Sequence, residues 1–180
     1  MKKYNTLIFF VALIFMSTLV ISGDKSKISV KEIEPYFYCA VEMTGSYDQH
    51  EDAFTTLYEQ AGMQGLGSDF EAFGIYINDP NQTPANELKW ELGFELQDSV
   101  KVKEPLKHKK WNYSQMAGLL YEGSFSSPEF AAAHVDLFQW ISANGYTPVG
   151  PMMEKYVEMT SQNSEGEWLG KIRITVPVRK

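Results

Sequence analysis

Acidic and tyrosine side chains alternate with apolar ones along several short segments that are rich in β-branched and aromatic residues. Alternate residues of a strand share one face of a sheet, so these acids and phenols are predicted to gather on one surface. Carboxylates among tyrosine rings attract a cationic or aromatic molecule through charge and cation–π contacts. Two basic residues on the same surface would pair with some of the acids or receive an anionic group. The candidate ligand-binding residues are Tyr38, Glu42, Tyr76, Glu91, Glu154, Tyr156, Lys171 and Arg173.

The elements that must position these residues follow the same order twice. In the first half, a strand-like segment leads through a glycine-containing turn (Thr44-Gly-Ser-Tyr47) into an amphipathic helix, and two further strands follow. The second half repeats this order after the similar turn Glu122-Gly-Ser-Phe125. The predicted fold is α+β: two tandem strand-helix-strand-strand modules form one curved, mainly antiparallel sheet, backed by two helices, with a central ligand cleft. The predicted strands are residues 36–43, 73–78, 88–96, 116–121, 153–159 and 171–178.

A single helix can cover only one face of the three strands in each module, so the uncovered face is predicted to form the cleft. Trp90 and Leu92 alternate with Glu91, which places the apolar pair against the helix and Glu91 on the cleft face. The same alternation turns Ile75 toward the helix and Tyr76 toward the cleft. The alternative interpretation is an ordinary solvated sheet face that carries surface charges.

The first residues of the chain have the parts of an export signal. Lys2 and Lys3 precede an apolar run over residues 7–21, which is short for a membrane span. We therefore expect export to the periplasm or cell envelope, with membrane contact only through this segment if it is not cleaved. The predicted divisions are a signal peptide or N-terminal anchor over 1–23, a polar tether over 24–34, and one domain over 35–180, made of a first repeat (35–98), a lysine-rich linker (99–113) and a second repeat (114–180).

Composition excludes several classes of function. The net charge of -7 argues against a nucleic-acid partner, which requires clustered basic residues. The single cysteine, Cys39, excludes a disulfide framework, and its place on a helix-facing strand position predicts a buried thiol. No cofactor or metal site is predicted. His134 lies on the apolar stripe of its helix and is expected in the core, whereas His50 and His108 lie in polar segments and are expected at the surface.

Three stretches of the chain resemble the GyrI-like small-molecule-binding family, whose domain is also fused to AraC-type and MerR-type transcription activators. They are the hairpin over residues 73–80 and 87–92, the turn over 122–125, and the helix end over 138–146 with 149–151 after it. The likeness extends from Ile33 to Lys180. It implies two tandem modules with a central cleft. Because an export-like leader precedes the domain and no helix-turn-helix pattern is found, we expect a stand-alone exported member without the DNA-binding segment of the regulators.

The resemblance also implies roles for particular residues. Family members often place an acidic residue of the last strand in the cleft, where it attracts cationic aromatic compounds. Here Lys171 or Arg173 occupies that position, so Glu91, its counterpart in the first half, is the candidate for the role. Some members resemble hydrolases that use a cleft glutamate with a tyrosine, which implies Glu91 or Glu154 with Tyr156 as a catalytic alternative.

The preferred hypothesis is a non-enzymatic domain that binds a small, partly aromatic organic molecule between two pseudo-symmetric halves. The alternatives are a small hydrolase and an envelope module that binds a protein partner through the open sheet face.

Overall fold

The computed structural model describes residues 27–180, so the predicted leader over 1–23 lies outside the described residues. Over these described residues, two helices and nine strands follow one another, with short 3-10 turns at Tyr47–Gln49 and Ala85–Glu87. Among the described residues, no helix has the length and apolar character needed to cross a membrane. In chain order the elements are β1 (Ser29–Glu32), β2 (Tyr36–Thr44), α1 (His50–Met63), β3 (Ala72–Tyr76), β4 (Lys89–Leu96), β5 (Lys107–Trp111), β6 (Gln115–Ser124), α2 (Pro128–Ala143), β7 (Thr147–Pro148), β8 (Met152–Gln162) and β9 (Trp168–Arg179).

All strand pairs are antiparallel, and the order across the sheet is β1-β6-β9-β8-β3-β4-β2-β5, with β7 paired to β9. The first half, β2-α1-β3-β4, and the second half, β6-α2-β8-β9, have the same order of elements. The halves join where β3 pairs with β8, with Ile75 opposite Met153. The fold is therefore α+β, with one mainly antiparallel curved sheet and two helices, as the sequence predicts.

Each helix buries a narrow apolar stripe against its own half of the sheet. In α1 the buried residues are Ala53, Leu57 and Ala61, which share a core with Trp90 and Leu92 of β4. In α2, Leu137 and Ile141 pack with Ile172, Ile174 and Val176 of β9. Ser127 caps α2 by accepting a hydrogen bond from the Phe130 amide, and Pro128 begins the helix. The predicted alternation along β4 and β9 is confirmed.

The sheet face away from the helices is filled by the chain itself. Three residues connect β5 to β6, which lie near opposite ends of the sheet, so the sheet curves until these two regions approach each other. Trp111 of β5 and Met116 of β6 then pack with Phe73, Ile75 and other residues of the central strands in one buried cluster. The sheet face that the sequence predicts to be an open cleft is therefore concave and filled by this buried cluster.

Two strand assignments are wrong. Ile75 packs in the concave cluster, whereas Tyr76 packs against the α1 side with Trp90. Along β8, Met153 faces the concave cluster, and Glu154 and Tyr156 face the helices. The assignment of β3 is wrong because every residue of this strand is buried, so its sequence carries no polar–apolar alternation to distinguish its two faces.

Two segments predicted as irregular contain strands. Residues 29–32 of the predicted tether form β1, which pairs with β6, and residues 107–111 of the predicted linker form β5, which pairs with β2. Each adds a strand at one end of the sheet.

Gly93 allows β4 to approach β2 closely. A Cβ atom at this position would overlap the Cys39 carbonyl oxygen and lie 2.8 Å from the Cβ of Ala40. We expect Gly93→Ala to lower the free energy of unfolding by about 2 kcal/mol, because two paired backbones must separate. Chemical denaturation measures this change.

Gly62→Ala is the matched control, because a Cβ at that α1 position meets nothing within 4 Å. It should leave stability unchanged or raise it by up to about 1 kcal/mol, since alanine favours helix. Equal destabilisation by both substitutions would contradict the close-approach explanation.

Candidate functional site in the cleft between the helices

A large cleft lies on the helix side of the sheet, over the seam between β3 and β8. It encloses about 660 Å³ and is open to solvent. The start of α1 and the segment before α2 form its two sides, while Tyr76 and Glu154 contribute to its floor. The end of β8 and the start of β9, with Gly166 and Trp168, lie along another edge. The cleft is thus a gap that two helices leave uncovered, not the bare face that the sequence predicts.

Aromatic side chains make up much of the cleft wall. The edges of the rings pack against one another: Phe54 meets Tyr156 at 5.1 Å between ring centroids, and Tyr47 meets Tyr76 at 5.0 Å. Trp168 is 48% exposed at the rim, so part of this aromatic surface is available to a ligand. The aromatic lining residues are Tyr47, Phe54, Tyr58, Tyr76, Phe125, Phe130, Tyr156 and Trp168.

The floor of the cleft holds a chain of hydrogen bonds centred on Glu154, which is only 7% exposed. Tyr76 donates to Glu154 Oε2 at 2.9 Å, and His134 Nε2 lies 2.6 Å from Oε1. The Tyr76 hydroxyl has two further neighbours: His50 Nε2 at 2.9 Å and the Tyr156 hydroxyl at 3.3 Å. Residues of both helices and both central strands therefore meet at one buried carboxylate.

The pKa values of this chain follow from burial and from the Glu154 charge. Burial raises the pKa of Tyr76 and Tyr156 well above the usual tyrosine value, with the Glu154 charge adding to the effect, so both phenols keep their protons. Burial lowers the pKa of His50. Burial also opposes charge on His134, but the hydrogen bond and charge of Glu154 outweigh it and raise the pKa of His134.

The rim of the cleft is acidic. Asp48 in the turn before α1 and Glu51 in its first turn line one side, and Glu167 lines the other. The Glu167 carboxylate accepts hydrogen bonds from Ser124 at 2.8 Å and Asn163 at 2.9 Å. Within residues 27–180, neither lysine nor arginine lines the cleft. An aromatic cavity with carboxylates at its rim and no lysine or arginine in its described lining favours a cationic or neutral aromatic guest.

Residues 26–179 match the model of the GyrI-like small molecule binding domain. The chain belongs to the GyrI-like family. No match was found among curated proteins. Among solved structures, the C-terminal domain of EcmrR aligns with a TM-score of 0.70 at 16% identity, covering 86% of this chain and 98% of that one.

Two structures from Listeria innocua are also similar. An uncharacterized conserved protein aligns with a TM-score of 0.66 at 15% identity, covering 86% of this chain and 93% of that one. A protein described as a hydrolase aligns with a TM-score of 0.64 at 14% identity, with the same two coverages. At these identities the likeness shows the fold alone.

This GyrI-like domain separates the eight candidate residues into two groups. Tyr76, Glu154 and Tyr156 meet in the cleft. The other five lie on strand positions that face away from the helices, so they do not contribute to the cleft. They are Tyr38, Glu42, Glu91, Lys171 and Arg173.

Glu91 instead belongs to an ion-pair network on the concave side. It is 7% exposed, accepts a hydrogen bond from the Tyr38 hydroxyl at 3.1 Å, and pairs with Lys109 at 2.6 Å. Lys109 also pairs with Glu42, and this hydrogen bond lowers the pKa of the Glu42 carboxyl. The buried carboxylate of the first half is therefore satisfied by the protein's own groups.

Lys171 and Arg173 lie on the same outward side of β9. Lys171 pairs with Glu158 at 2.9 Å and approaches Glu122 to 3.8 Å, while Arg173 is exposed. Glu122 and Glu158 also line a shallow depression of about 250 Å³ around Lys171. The basic residues of the last strand thus stand behind the sheet and do not change the charge within the cleft.

The sequence interpretation missed His50 and most of the aromatic wall. His50 is half-buried and packs on Trp90 with 4.7 Å between ring centroids, rather than lying at the surface. Tyr47 and Phe125 line the cleft from equivalent turns, one before each helix. That shared aromatic position after Gly-Ser was visible in the sequence and could have located the cleft beside the helix starts. His134 is half-buried and contacts Glu154, which its apolar stripe does not predict.

The described residues contain no group of three or more histidine, cysteine or acidic side chains arranged to hold a metal ion.

Proposed function

We propose that this GyrI-like domain binds a small, partly aromatic organic molecule in the cleft between its two helices. The observation that carries the proposal is the ring-lined cavity of about 660 Å³ with one hydrogen-bonded carboxylate in its floor. This size suits a guest of two or three rings. The rim acids Asp48, Glu51 and Glu167 favour a guest that carries positive charge.

Binding is tested with two probes of the same shape and different charge. 1-Methyl-4-phenylpyridinium is a permanent cation, and 4-methylbiphenyl is its neutral counterpart. We expect both to raise the melting temperature of the domain, because a ligand that binds only the folded state stabilises it by about 2.7 kcal/mol at 100 times its Kd. The cation should bind more tightly because of the acidic rim. Absence of any shift or tryptophan fluorescence change with both probes would contradict the proposal.

Glu91→Gln is the control that separates the cleft from the concave face. Glu91 is bonded to Lys109 and Tyr38 and does not line the cleft. We expect the substitution to lower the free energy of unfolding by about 1–2 kcal/mol, because a charge-assisted hydrogen bond is lost. The affinity for both probes should stay within about twofold of the unmodified domain, since the charge removed lies behind the sheet. A large loss of affinity would place the ligand on the concave face.

A second candidate function is hydrolysis of a small electrophilic compound. The observation that favours it is the meeting of Glu154 with two phenols, those of Tyr76 and Tyr156, under an open cleft. A carboxylate can act as a base and a phenol as an acid when both reach the substrate. Turnover of an aromatic ester or epoxide that disappears in Tyr156→Phe would favour the hydrolase, whereas binding without turnover favours the binding domain.

We also propose that the domain works outside the cytoplasm, in the periplasm or cell envelope. The support is the charged start and apolar run of residues 1–23. Detection of the domain in an envelope fraction, with and without this segment, tests the proposal.

A further inference from the structure

The carboxylate in the cleft floor has a basic partner within the fold. His134 lies one turn after Phe130 on α2, and its Nδ1 donates a hydrogen bond to the Phe130 carbonyl oxygen at 2.8 Å. This bond fixes the imidazole ring, and the ring's other nitrogen, Nε2, faces Glu154 Oε1 at 2.6 Å. The His134 side chain is 20% exposed and the Glu154 side chain 9%, so solvent screens the pair only weakly.

The net charge of the His134–Glu154 pair follows from the number of protons that its hydrogen bonds require. Because Nδ1 already carries the proton given to Phe130, the short contact between Nε2 and Oε1 needs one more proton between them. If the proton lies on Nε2, an imidazolium faces a carboxylate; if it lies on Oε1, both groups are neutral. The pair has no net charge in either case. When the pair loses that proton, it has one net negative charge in the floor of the cleft.

We propose that His134 is a specificity-determining residue: it cancels the charge of Glu154, so that the cleft floor accepts neutral aromatic guests and holds a cation strongly only after the shared proton leaves. This inference rests on the proposed ligand-binding function. The positive charge of a guest is then met mainly by the rim acids Asp48, Glu51 and Glu167 while the proton is present.

Other titratable groups lie close to the pair. Glu154 on β8 is the charged group that contacts His134, and Tyr76 on β3 and His50 on α1 continue the hydrogen-bonded chain. Burial raises the pKa of Tyr76, so its phenol stays neutral, and burial lowers the pKa of His50 below that of a free imidazole. A change in affinity that came from His50 would persist in His134→Gln, which distinguishes the two histidines. A change that comes from the proton shared by His134 and Glu154 should disappear in that variant.

The test is the pH dependence of affinity for the two probes, neither of which titrates. The hydrogen bond and charge of Glu154 raise the pKa of His134 above the usual histidine value, so the proton is held at pH 6 and is lost as the pH rises. We expect the affinity for 1-methyl-4-phenylpyridinium to increase about tenfold over this range, because one negative charge appears near the bound cation. The affinity for 4-methylbiphenyl should change by less than about twofold, because this probe is uncharged and does not interact with the added negative charge.

His134→Gln keeps a hydrogen-bond donor near Glu154 and removes the titrating group. In this variant the cation should bind at pH 6 as tightly as it binds the unmodified domain at pH 9, and its affinity should not change with pH. Glu154→Gln should give the opposite result, with cation affinity at pH 9 reduced to the level of the unmodified domain at pH 6. His108→Gln is the matched control, since His108 is exposed on β5 and should leave the pH profile unchanged.

The outcomes separate this inference from the proposed function. If 4-methylbiphenyl and the cation both bind but cation affinity is the same at pH 6 and pH 9, the cleft is a ligand site and the role of His134 is overturned. A pH profile that persists unchanged in His134→Gln overturns it as well. If neither probe binds at any pH, the proposed function fails and this inference fails with it.

Discussion

Replacing Trp90 by alanine is expected to lower the free energy of unfolding by about 4 kcal/mol, the usual cost of removing a large buried ring. Trp90 is 1% exposed and lies on β4 beneath the start of α1. Its ring packs against His50 at 4.7 Å and Tyr47 at 5.9 Å between centroids. Its Nε1 donates a hydrogen bond to the Gly45 carbonyl oxygen at 3.3 Å, which ties the strand to the turn before the helix.

The substitution should also weaken ligand binding, because His50 and Tyr47 line the cleft and rest on this ring. Urea denaturation gives the stability change, and probe titration at low temperature, where the variant is folded, gives the affinity change. Trp168→Ala is the matched control: Trp168 is 48% exposed at the rim, so its loss should cost less than about 1 kcal/mol of stability. Similar destabilisation by both substitutions would show that Trp90 does not anchor the helix start.

The sequence was sufficient to orient β4 and β9, which flank the two central strands, because each presents one apolar and one polar side. Along β4, Trp90 and Leu92 alternate with Glu91, and the structure places them on opposite faces as predicted. Along β9, Ile172 and Ile174 alternate with Arg173 in the same way. In a strand that is apolar on one face and polar on the other, the alternation of residues predicts which face turns toward the core.

The central strands could not be oriented in this way. Every residue of β3 is buried, because the helices lie on one side and the concave cluster on the other. In β8 the polar residues Glu154 and Lys155 lie on opposite faces, so polarity alone gives no answer. Lys155 was nevertheless informative: it pairs with Glu71 at 2.9 Å and Glu95 at 3.0 Å on the side away from the helices. The sequence interpretation that puts Glu154 and Tyr156 on the uncovered face also puts Lys155 against the helix. Burying a lysine there is costly, so Lys155 favours the reverse orientation of the whole strand.

The position of the cleft depends on contacts between residues far apart in the chain. Its two sides come from the starts of the two helices, and its floor comes from pairing between β3 and β8. The concave face is closed by Trp111 and Met116, which meet only because the sheet curves. Local periodicity identifies the helices and strands, but it does not state how much of a sheet face two helices leave uncovered.

Thr55→Trp is expected to weaken the binding of both probes by at least about a hundredfold, because the indole would occupy space that the ligand needs. Thr55 lies on the exposed side of α1, and its side chain lines the cleft. The residue is outside the buried stripe of Ala53, Leu57 and Ala61, so stability should change by less than about 0.5 kcal/mol. Titration by tryptophan fluorescence and by thermal shift measures the two effects separately.

Thr56→Trp supplies the control one residue further along the same helix. Thr56 does not line the cleft, and its hydroxyl donates a hydrogen bond to the Asp52 carbonyl oxygen at 2.9 Å. The Thr56→Trp variant should bind both probes with affinities within about threefold of the unmodified domain, because the added ring lies outside the cleft. Undiminished binding in Thr55→Trp would mean that the probes bind elsewhere. The depression of about 250 Å³ around Lys171, on the far side of the sheet, would then be the next site to block.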